Sequence, residues 1–310
     1  MAKPTVLLTG ATGFLGSHLL EALLKQGYSM VILKRSTSNL WRIEHLAGHY
    51  KSYDVDIQSV SEVFNIEKID VVIHMATLYR KFDNGSEVSD MLASNVTFPT
   101  ELLEAGVRKG IKGFINTGTF FEYDCSTLPV GENAKIKPFN FYAKTKLAFE
   151  MILSTYSDKL HINTLRLFSP YGEKDNEKLI PYIIKKSILN ETIELSDGFQ
   201  KLDFIYAGDI VEAYLKSLEN MQKNNQSSYQ VYNIGSGVAI SVREVVSVIE
   251  QQLGRSIKKQ WGAPSKLDIP IAYADISLAM NDFGWRPKHS IHEGMEKTIQ
   301  YYKESINHVD

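Results

Sequence analysis

Short apolar runs alternate with amphipathic stretches along the first half of the chain. Val6-Leu7-Leu8 and Met30-Val31-Ile32-Leu33 come first, and strand-like runs recur at Val71-Val72-Ile73-His74, Phe114-Ile115-Asn116-Thr117 and Ile162-Asn163-Thr164-Leu165-Arg166. Between them, apolar residues fall at helical spacing. Leu15, Leu19, Leu23 and Leu24 precede Gly27, and similar patterns lie around 58–68, 90–109 and 141–156. Strands buried on both faces read as unbroken apolar runs, and parallel neighbours are joined by right-handed helical crossovers. The pattern predicts an α/β fold with a doubly wound parallel sheet.

After about residue 168 the rhythm changes. Pro170, Pro181, Pro264, Pro270 and Pro287 punctuate shorter elements, and 223–228 reads as an exposed loop. Ser241 and Glu244 form a capping box before Val245, Val246 and Ile249. The expected division is a dinucleotide-binding region over 1–168, rejoined by 203–235, and a smaller mixed α/β lobe from 169–202 and 236–310.

Composition narrows the function classes. A net charge of −2 over 310 residues gives no electrostatic reason to expect nucleic acid or an anionic membrane as partner. The single cysteine, Cys125, rules out an internal disulfide framework and a cysteine-based zinc cluster. No apolar run approaches membrane-spanning length. A cytoplasmic protein without a metal site is the expectation.

Residues 9–20, TGATGFLGSHLL, place Gly10, Gly13 and Gly16 between the first strand and the first helix. Glycines there let the chain turn tightly and bring pyrophosphate oxygens to the N–H groups of a helix N-terminus. This is the context a Rossmann-type dinucleotide fold requires, although the spacing is G-x-x-G-x-x-G rather than G-x-G-x-x-G. Gly10, Thr12, Gly13, Phe14, Leu15 and Gly16 are the expected cofactor loop. The second strand ends in Lys34-Arg35-Ser36, with no carboxylate of its own. Cations there suit a 2′-phosphate, so NADP(H) is favoured over NAD(H).

A tyrosine and a lysine four apart share a helix face at Tyr142-x-x-x-Lys146 and again at Tyr182-x-x-x-Lys186. Context separates them. The first lies in the alternating region, after the strand ending Asn116-Thr117-Gly118-Thr119; the second follows Pro181 on an ordinary amphipathic helix. A phenol is a poor acid near neutrality until a nearby cation lowers its pKa, so Tyr142, Lys146 and Thr119 are the candidate catalytic set.

These residues, with His74-Met75-Ala76-Thr77, Leu165 to Gly172, Asp203-Phe204-Ile205-Tyr206, Asn233 to Gly237 and Gly284-Trp285-Arg286-Pro287, resemble the extended short-chain dehydrogenase/reductase family over nearly the whole chain. The resemblance implies a nucleotide-sugar substrate held over a nicotinamide, and pairing of two copies through helices including the one bearing Tyr142. It implies that Asp54 and Val55 meet the adenine, that His74 to Thr77 line the cofactor's ribose and phosphates, and that Lys146 holds the nicotinamide ribose. Thr117, Leu167, Ser169 and Asn95 are expected at the cofactor, where Asn95 either steadies the lysine through water or is an ordinary helix-surface amide. Tyr79, Arg80, Thr119, Phe120, Phe121, Tyr142, Ser169, Lys201 and Lys266 are expected at the substrate.

Family members that dehydrate carry an Asp-Glu pair after the threonine, where this chain has Phe120-Phe121. Cys125 reads as a small loop residue rather than an acid–base group. Segments 116–121, 166–172 and 179–184 are similar to the CDP-abequose and CDP-paratose synthase branch, whose members reduce the C4 ketone of a nucleotide-linked deoxy sugar. The expected function is NADPH-dependent 4-ketoreduction. A C4 epimerase is the alternative, and a non-catalytic NADP(H)-sensing protein the remote one. Two departures affect the substrate half: Leu202 replaces the family arginine, and Ser169 the asparagine. Lys201, Lys266 and Arg243 are the candidates left to meet the pyrophosphate, and Trp285 is expected in the core.

Overall fold

Val6, Leu7 and Leu8 are completely buried because helices cover both faces of the strand they form, β1 (Thr5–Thr9). The structure is a computed structural model describing residues 3–79, 87–175, 178–224, 226–264 and 269–307. From β1 the chain passes through α1 (Phe14–Lys25), β2 (Ser29–Lys34), β3 (Lys51–Asp54), α2 (Val60–Ile66) and β4 (Val71–His74). α3 (Val88–Leu92) and α4 (Phe98–Arg108) are joined by one widened π turn, Ala93–Thr97. Next come β5 (Gly113–Thr119), α5 (Phe141–Ser154), β6 (His161–Leu167), β7 (Ser169–Tyr171), α6 (Leu179–Ile188), β8 (Ile193–Leu195), β9 (Lys201–Leu202), β10 (Phe204–Tyr206) and α7 (Ala207–Lys223). The remainder is β11 (Ser228–Ile234), β12 (Ile240–Ser241), α8 (Val242–Leu253), β13 (Lys259–Trp261), β14 (Ile271–Ala272), α9 (Ser277–Phe283) and α10 (Ile291–Asn307).

Seven strands form one parallel sheet in the order β11-β6-β5-β4-β1-β2-β3, the Rossmann arrangement extended by β11. On one face Leu19, Leu20 and Leu23 of α1 pack with Ile210, Tyr214 and Leu218 of α7. On the other, Val63 and Phe64 of α2, Leu102 and Leu103 of α4, and Phe149 and Leu153 of α5 form the second layer. This two-sided cover is why the strands lack alternation.

A further apolar core is formed by Ile183, Ile184, Val245, Ile249, Met295 and Ile299, from α6, α8 and α10. Ser241 and Glu244 make the expected reciprocal cap on α8, at 3.1 and 2.6 Å. Asp203 knots this region together by accepting from the backbone N–H groups of Gly237 and Ala274, each at 3.0 Å. Trp285 is buried as expected, its indole N–H donating to the Asp209 carbonyl at 2.9 Å. Among the described residues no helix is long and apolar enough to cross a membrane.

Candidate active site

The strand order reverses between β1 and β4, which opens a crevice beyond their carboxyl ends. Gly10 turns there at φ +74°, and a Cβ on it would lie 2.7 Å from the Ala76 nitrogen, so glycine serves both the handedness and the approach. Gly13 opens α1 with no side-chain cap, and the first turn, containing Gly16, carries no acidic residue. The helix end therefore keeps donors and positive dipole for an anion. Phe14 is buried and Leu15 packs on the core, so these two offer backbone only. Arg42, which the sequence pattern does not single out, donates to the Thr12 carbonyl at 3.4 Å.

At the end of β2 the register brings in two carboxylates from the β3 side. Lys34 is paired with Asp54, while Asp56 accepts from the Ser36 backbone at 2.8 Å and from its hydroxyl at 2.5 Å. Those hydrogen bonds from Ser36 hold the Asp56 carboxyl below its usual range. The strand end has no carboxylate of its own, but the fold supplies two beside it: Arg35 is exposed, while Lys34 and Ser36 each have an acidic partner. Val55 continues the strand, donating to the Lys34 carbonyl at 2.8 Å.

The end of β4 is fixed from below. Thr9 Oγ1 accepts from the Met75 and Ala76 N–H groups at 3.2 and 3.1 Å, so its own proton points to His74 Nδ1, 2.8 Å away. His74 must then carry its proton on Nε2, among the rings of Phe98, Phe114 and Phe149. Burial, with Lys146 nearby, pushes His74 well below the ordinary histidine range. His74 thus supports the loop from inside the sheet.

Asn95, on the π turn, is fully buried. Its oxygen accepts from Leu78 N at 2.8 Å and Thr77 Oγ1 at 3.1 Å; its nitrogen donates to Leu78 O at 2.9 Å and Thr145 Oγ1 at 3.0 Å. All four amide valences go to protein, so Asn95 clamps the 77–79 segment to α5 rather than meeting a cofactor. Thr117 is similarly engaged: its hydroxyl donates to the His74 carbonyl at 2.8 Å and lies 2.6 Å from the Tyr214 hydroxyl.

Tyr142 and Lys146 lie one turn apart on α5, whose start is capped by Asn140 accepting from Ala143 N at 2.9 Å. The expectation that a neighbouring cation lowers the Tyr142 pKa is corrected here: burial pushes the phenol up, Thr77 as its hydrogen-bonding neighbour pulls it down, and Glu122 and Tyr79 add to the rise. Lys146 is 1% exposed; burial lowers it, and Glu122 and Glu150 counteract. Thr119 ends β5 and accepts from Phe121 N at 3.4 Å, which leaves its O–H available to donate. Tyr79 meets the Tyr142 ring edge-on at 4.9 Å between centroids. An acid, a cation and a hydroxyl donor are thus gathered at one end of the sheet.

The second tyrosine–lysine pair has local partners: Lys186 bonds Glu191 at 2.7 Å and sits 5.7 Å over the Tyr182 ring. Phe120 is 4% exposed and stacked on Phe168 at 5.1 Å, a core position rather than the expected substrate contact. Phe121 is half-buried, and stacks on Phe139 at 5.6 Å. Leu167 is buried; Ser169 is half-buried and begins β7; Lys201 is exposed. Burial pushes the Cys125 thiol up to about 11, which keeps it protonated. Arg80 and Lys266 lie outside the described residues.

The sequence profile of the NAD dependent epimerase/dehydratase family matches residues 6–235. The chain belongs to that family. It is 34% identical to the CDP-abequose synthase of Salmonella muenchen over 95% of this chain and 96% of that one. It is 30% identical to the UDP-glucuronate 4-epimerase of Thermodesulfobacterium geofontis, over 97% and 96%. Among solved structures, the UDP-glucuronic acid 4-epimerase from Bacillus cereus in complex with UDP-glucuronic acid and NAD superposes with a TM-score of 0.88 at 27% identity, covering 97% of this chain and 99% of that one. As a member of this family, the chain is expected to place a nicotinamide cofactor along the crevice. The bare start of α1 and the close approach at Gly10 fit such a group.

Leu202, where the family arginine is expected, is half-buried in β9, pairs with Ile240 of β12 and packs against two buried apolar clusters. Arg243 is held between the rings of Phe199 and Trp261, at 4.3 and 4.4 Å, with Nε on the Asp197 carbonyl at 2.7 Å.

Proposed function

We propose that the protein reduces the C4 ketone of a nucleotide-linked 4-keto-6-deoxy sugar with NADPH. The observation that carries this reading is the placement of Tyr142 one turn before the buried Lys146 on α5, with the Thr119 hydroxyl at the end of β5. A phenol followed by an ammonium on the same helix face suits proton delivery to a developing alkoxide. The similarity to a CDP-abequose synthase supports the same direction.

The glycine loop and Arg42 would hold the cofactor's pyrophosphate, and Arg35 its 2′-phosphate. Met75, Ala76 and Thr77 would line its ribose. When bound, that cofactor supplies hydride to the ketone carbon. Thr119 donates a hydrogen bond to the carbonyl oxygen, Tyr142 transfers its proton to the same atom, and Lys146 stabilises the phenolate left behind. Tyr79, Arg80, Phe121 and Ser169 would bound the sugar. Lys201, Lys266 and Arg243 would share the pyrophosphate contact that Leu202 cannot make. The working form in this reading is a cytoplasmic homodimer paired through helices including α5, on which Met151 is exposed.

A C4 epimerase is the second reading. The 30% identity to a UDP-glucuronate 4-epimerase favours it, as does Asp56, a carboxylate beside the β2 end that suits a ribose hydroxyl. Net consumption of NADPH by a ketone-bearing nucleotide sugar, with Tyr142→Phe as the blank, tests the first reading against it. An epimerase interconverts C4 isomers with no net change in cofactor.

A further inference from the structure

Beyond the end of β2, a carboxylate stands against the residues expected to receive a 2′-phosphate. From Lys34 to Ser38 and from Asp54 to Gln58 the chain carries two cations and two carboxylates. Parallel pairing of β2 with β3 sets Lys34 opposite Asp54, and the two form an ion pair. Two residues beyond each, Asp56 Oδ1 accepts from the Ser36 backbone N–H at 2.8 Å and Oδ2 from the Ser36 hydroxyl at 2.5 Å. Turns fix both partners. Arg35 N donates to Ser38 Oγ at 3.1 Å, and Ser38 N to the Arg35 carbonyl at 3.0 Å. On the other side, Ile57 N and Gln58 N donate to the Asp54 carbonyl at 3.0 and 2.8 Å.

A Rossmann-type site lays the cofactor's adenosine ribose at the end of the second strand, where the 2′ substituent meets the side chains that follow it. A 2′-hydroxyl carries a proton, and a carboxylate has lone pairs to accept it beyond those that Ser36 uses. A 2′-phosphate carries close to two negative charges at neutral pH. It meets repulsion from Asp56, and it finds the Ser36 N–H and O–H already directed to that carboxylate. The hydroxyl and N–H of Ser36 also hold the Asp56 carboxyl below its usual range, so it is ionised at neutral pH. Arg35 acts in the opposite sense, as an exposed guanidinium with no acidic partner among the described residues.

We propose that Asp56 is a specificity-determining residue of the cofactor site: its carboxylate favours a ribose 2′-hydroxyl over a 2′-phosphate, and so limits the preference for NADPH that Arg35 creates. This rests on the reading that brings the adenosine ribose to the end of β2 beside Arg35, and it does not depend on which sugar is reduced. The charge of Asp56 is the larger part of the effect, because it acts on a doubly charged group. Its hold on Ser36 is the smaller part, since one hydroxyl and one N–H are all that the phosphate would regain.

The test is the ratio of two dissociation constants, NADPH against NADH, read by cofactor fluorescence with the whole chain and no sugar. Asp56→Asn keeps an acceptor for Ser36 N and removes the charge. NADPH binding is expected to tighten roughly three- to tenfold, the scale of an exposed charge pair raised by the second charge of the phosphate. NADH binding is expected to stay the same or weaken. Asp56→Ala serves as a second charge-free variant, and Ser36→Ala, which leaves the carboxylate in place, is expected to gain no NADPH affinity. The gain in Asp56→Asn should shrink in molar salt, because ions screen an exposed carboxylate, whereas a mere rearrangement of the turn would persist. An unchanged ratio in both charge-free variants, or equal tightening of both cofactors, overturns the proposal. Tighter NADPH binding in a variant of a protein that reduces no ketone refutes the reductase reading alone; ketone reduction by NADPH with an unchanged ratio refutes this proposal alone.

Discussion

Asn95 Nδ2 donates to Thr145 Oγ1 at 3.0 Å, and Thr145 Oγ1 in turn donates to the Tyr142 carbonyl at 2.7 Å. The π turn thereby connects the 77–79 segment to the helix that carries the tyrosine. Asn95→Ala would leave the Leu78 N–H and C=O without partners inside the protein, a loss of about 2–4 kcal/mol. Urea unfolding at neutral pH measures it. A change under about 0.5 kcal/mol would mean that the clamp is dispensable.

Tyr142→Phe removes the proton donor while keeping the ring that meets Tyr79. Turnover is expected to fall roughly 10²- to 10⁴-fold, with NADPH affinity nearly unchanged. Tyr182→Phe, whose ring sits beside Lys186, should leave turnover intact. Steady-state kinetics and cofactor fluorescence titration check both.

Arg35→Ala tests the cofactor preference. Lys34 is neutralised by Asp54, so Arg35 carries most of the expected interaction with a 2′-phosphate. NADPH binding should weaken by about 1.5–3 kcal/mol, while NADH binding changes little. Equal effects on both cofactors would place Arg35 away from the 2′ position.

His74 gives a pH dependence with a definite sign. Its folded pKa lies well below the ordinary value, so the unfolded chain binds more protons as pH falls through the histidine range. Stability from a neutral His74 is complete above about pH 6.5 and declines below it, by at most about 1.4 kcal/mol per pH unit. His74→Asn preserves an acceptor for Thr9 without the titration. Urea unfolding from neutral to mildly acidic pH should show a shallower decline in the variant; parallel curves would contradict the assignment.

Much of this was legible in the chain because strand burial and loop chemistry are local. The unbroken run Val71-Val72-Ile73 announces a strand covered on both faces, and the spacing of Gly10 and Gly13 announces an anion-ready helix start. The two tyrosine–lysine pairs were separable by whether a strand end preceded them. What was not legible depends on register and depth. Asp54 meets Lys34 because β2 and β3 align those positions, which a pattern of apolar runs does not specify. Nothing in the sequence pattern marks Glu122, and its burial against Arg166 follows from the β5–β6 pairing. Asn95 reads as a helix-surface amide until the π turn carries it inward.

The central claim is tested most directly by mixing the purified protein with NADPH and UDP-, dTDP-, CDP- or GDP-linked 4-keto-6-deoxy sugars. The account predicts stoichiometric oxidation of NADPH with at least one of them, and loss of that oxidation in Tyr142→Phe. Tight NADPH binding with no oxidation by any ketone, or oxidation that persists in Tyr142→Phe, would contradict it.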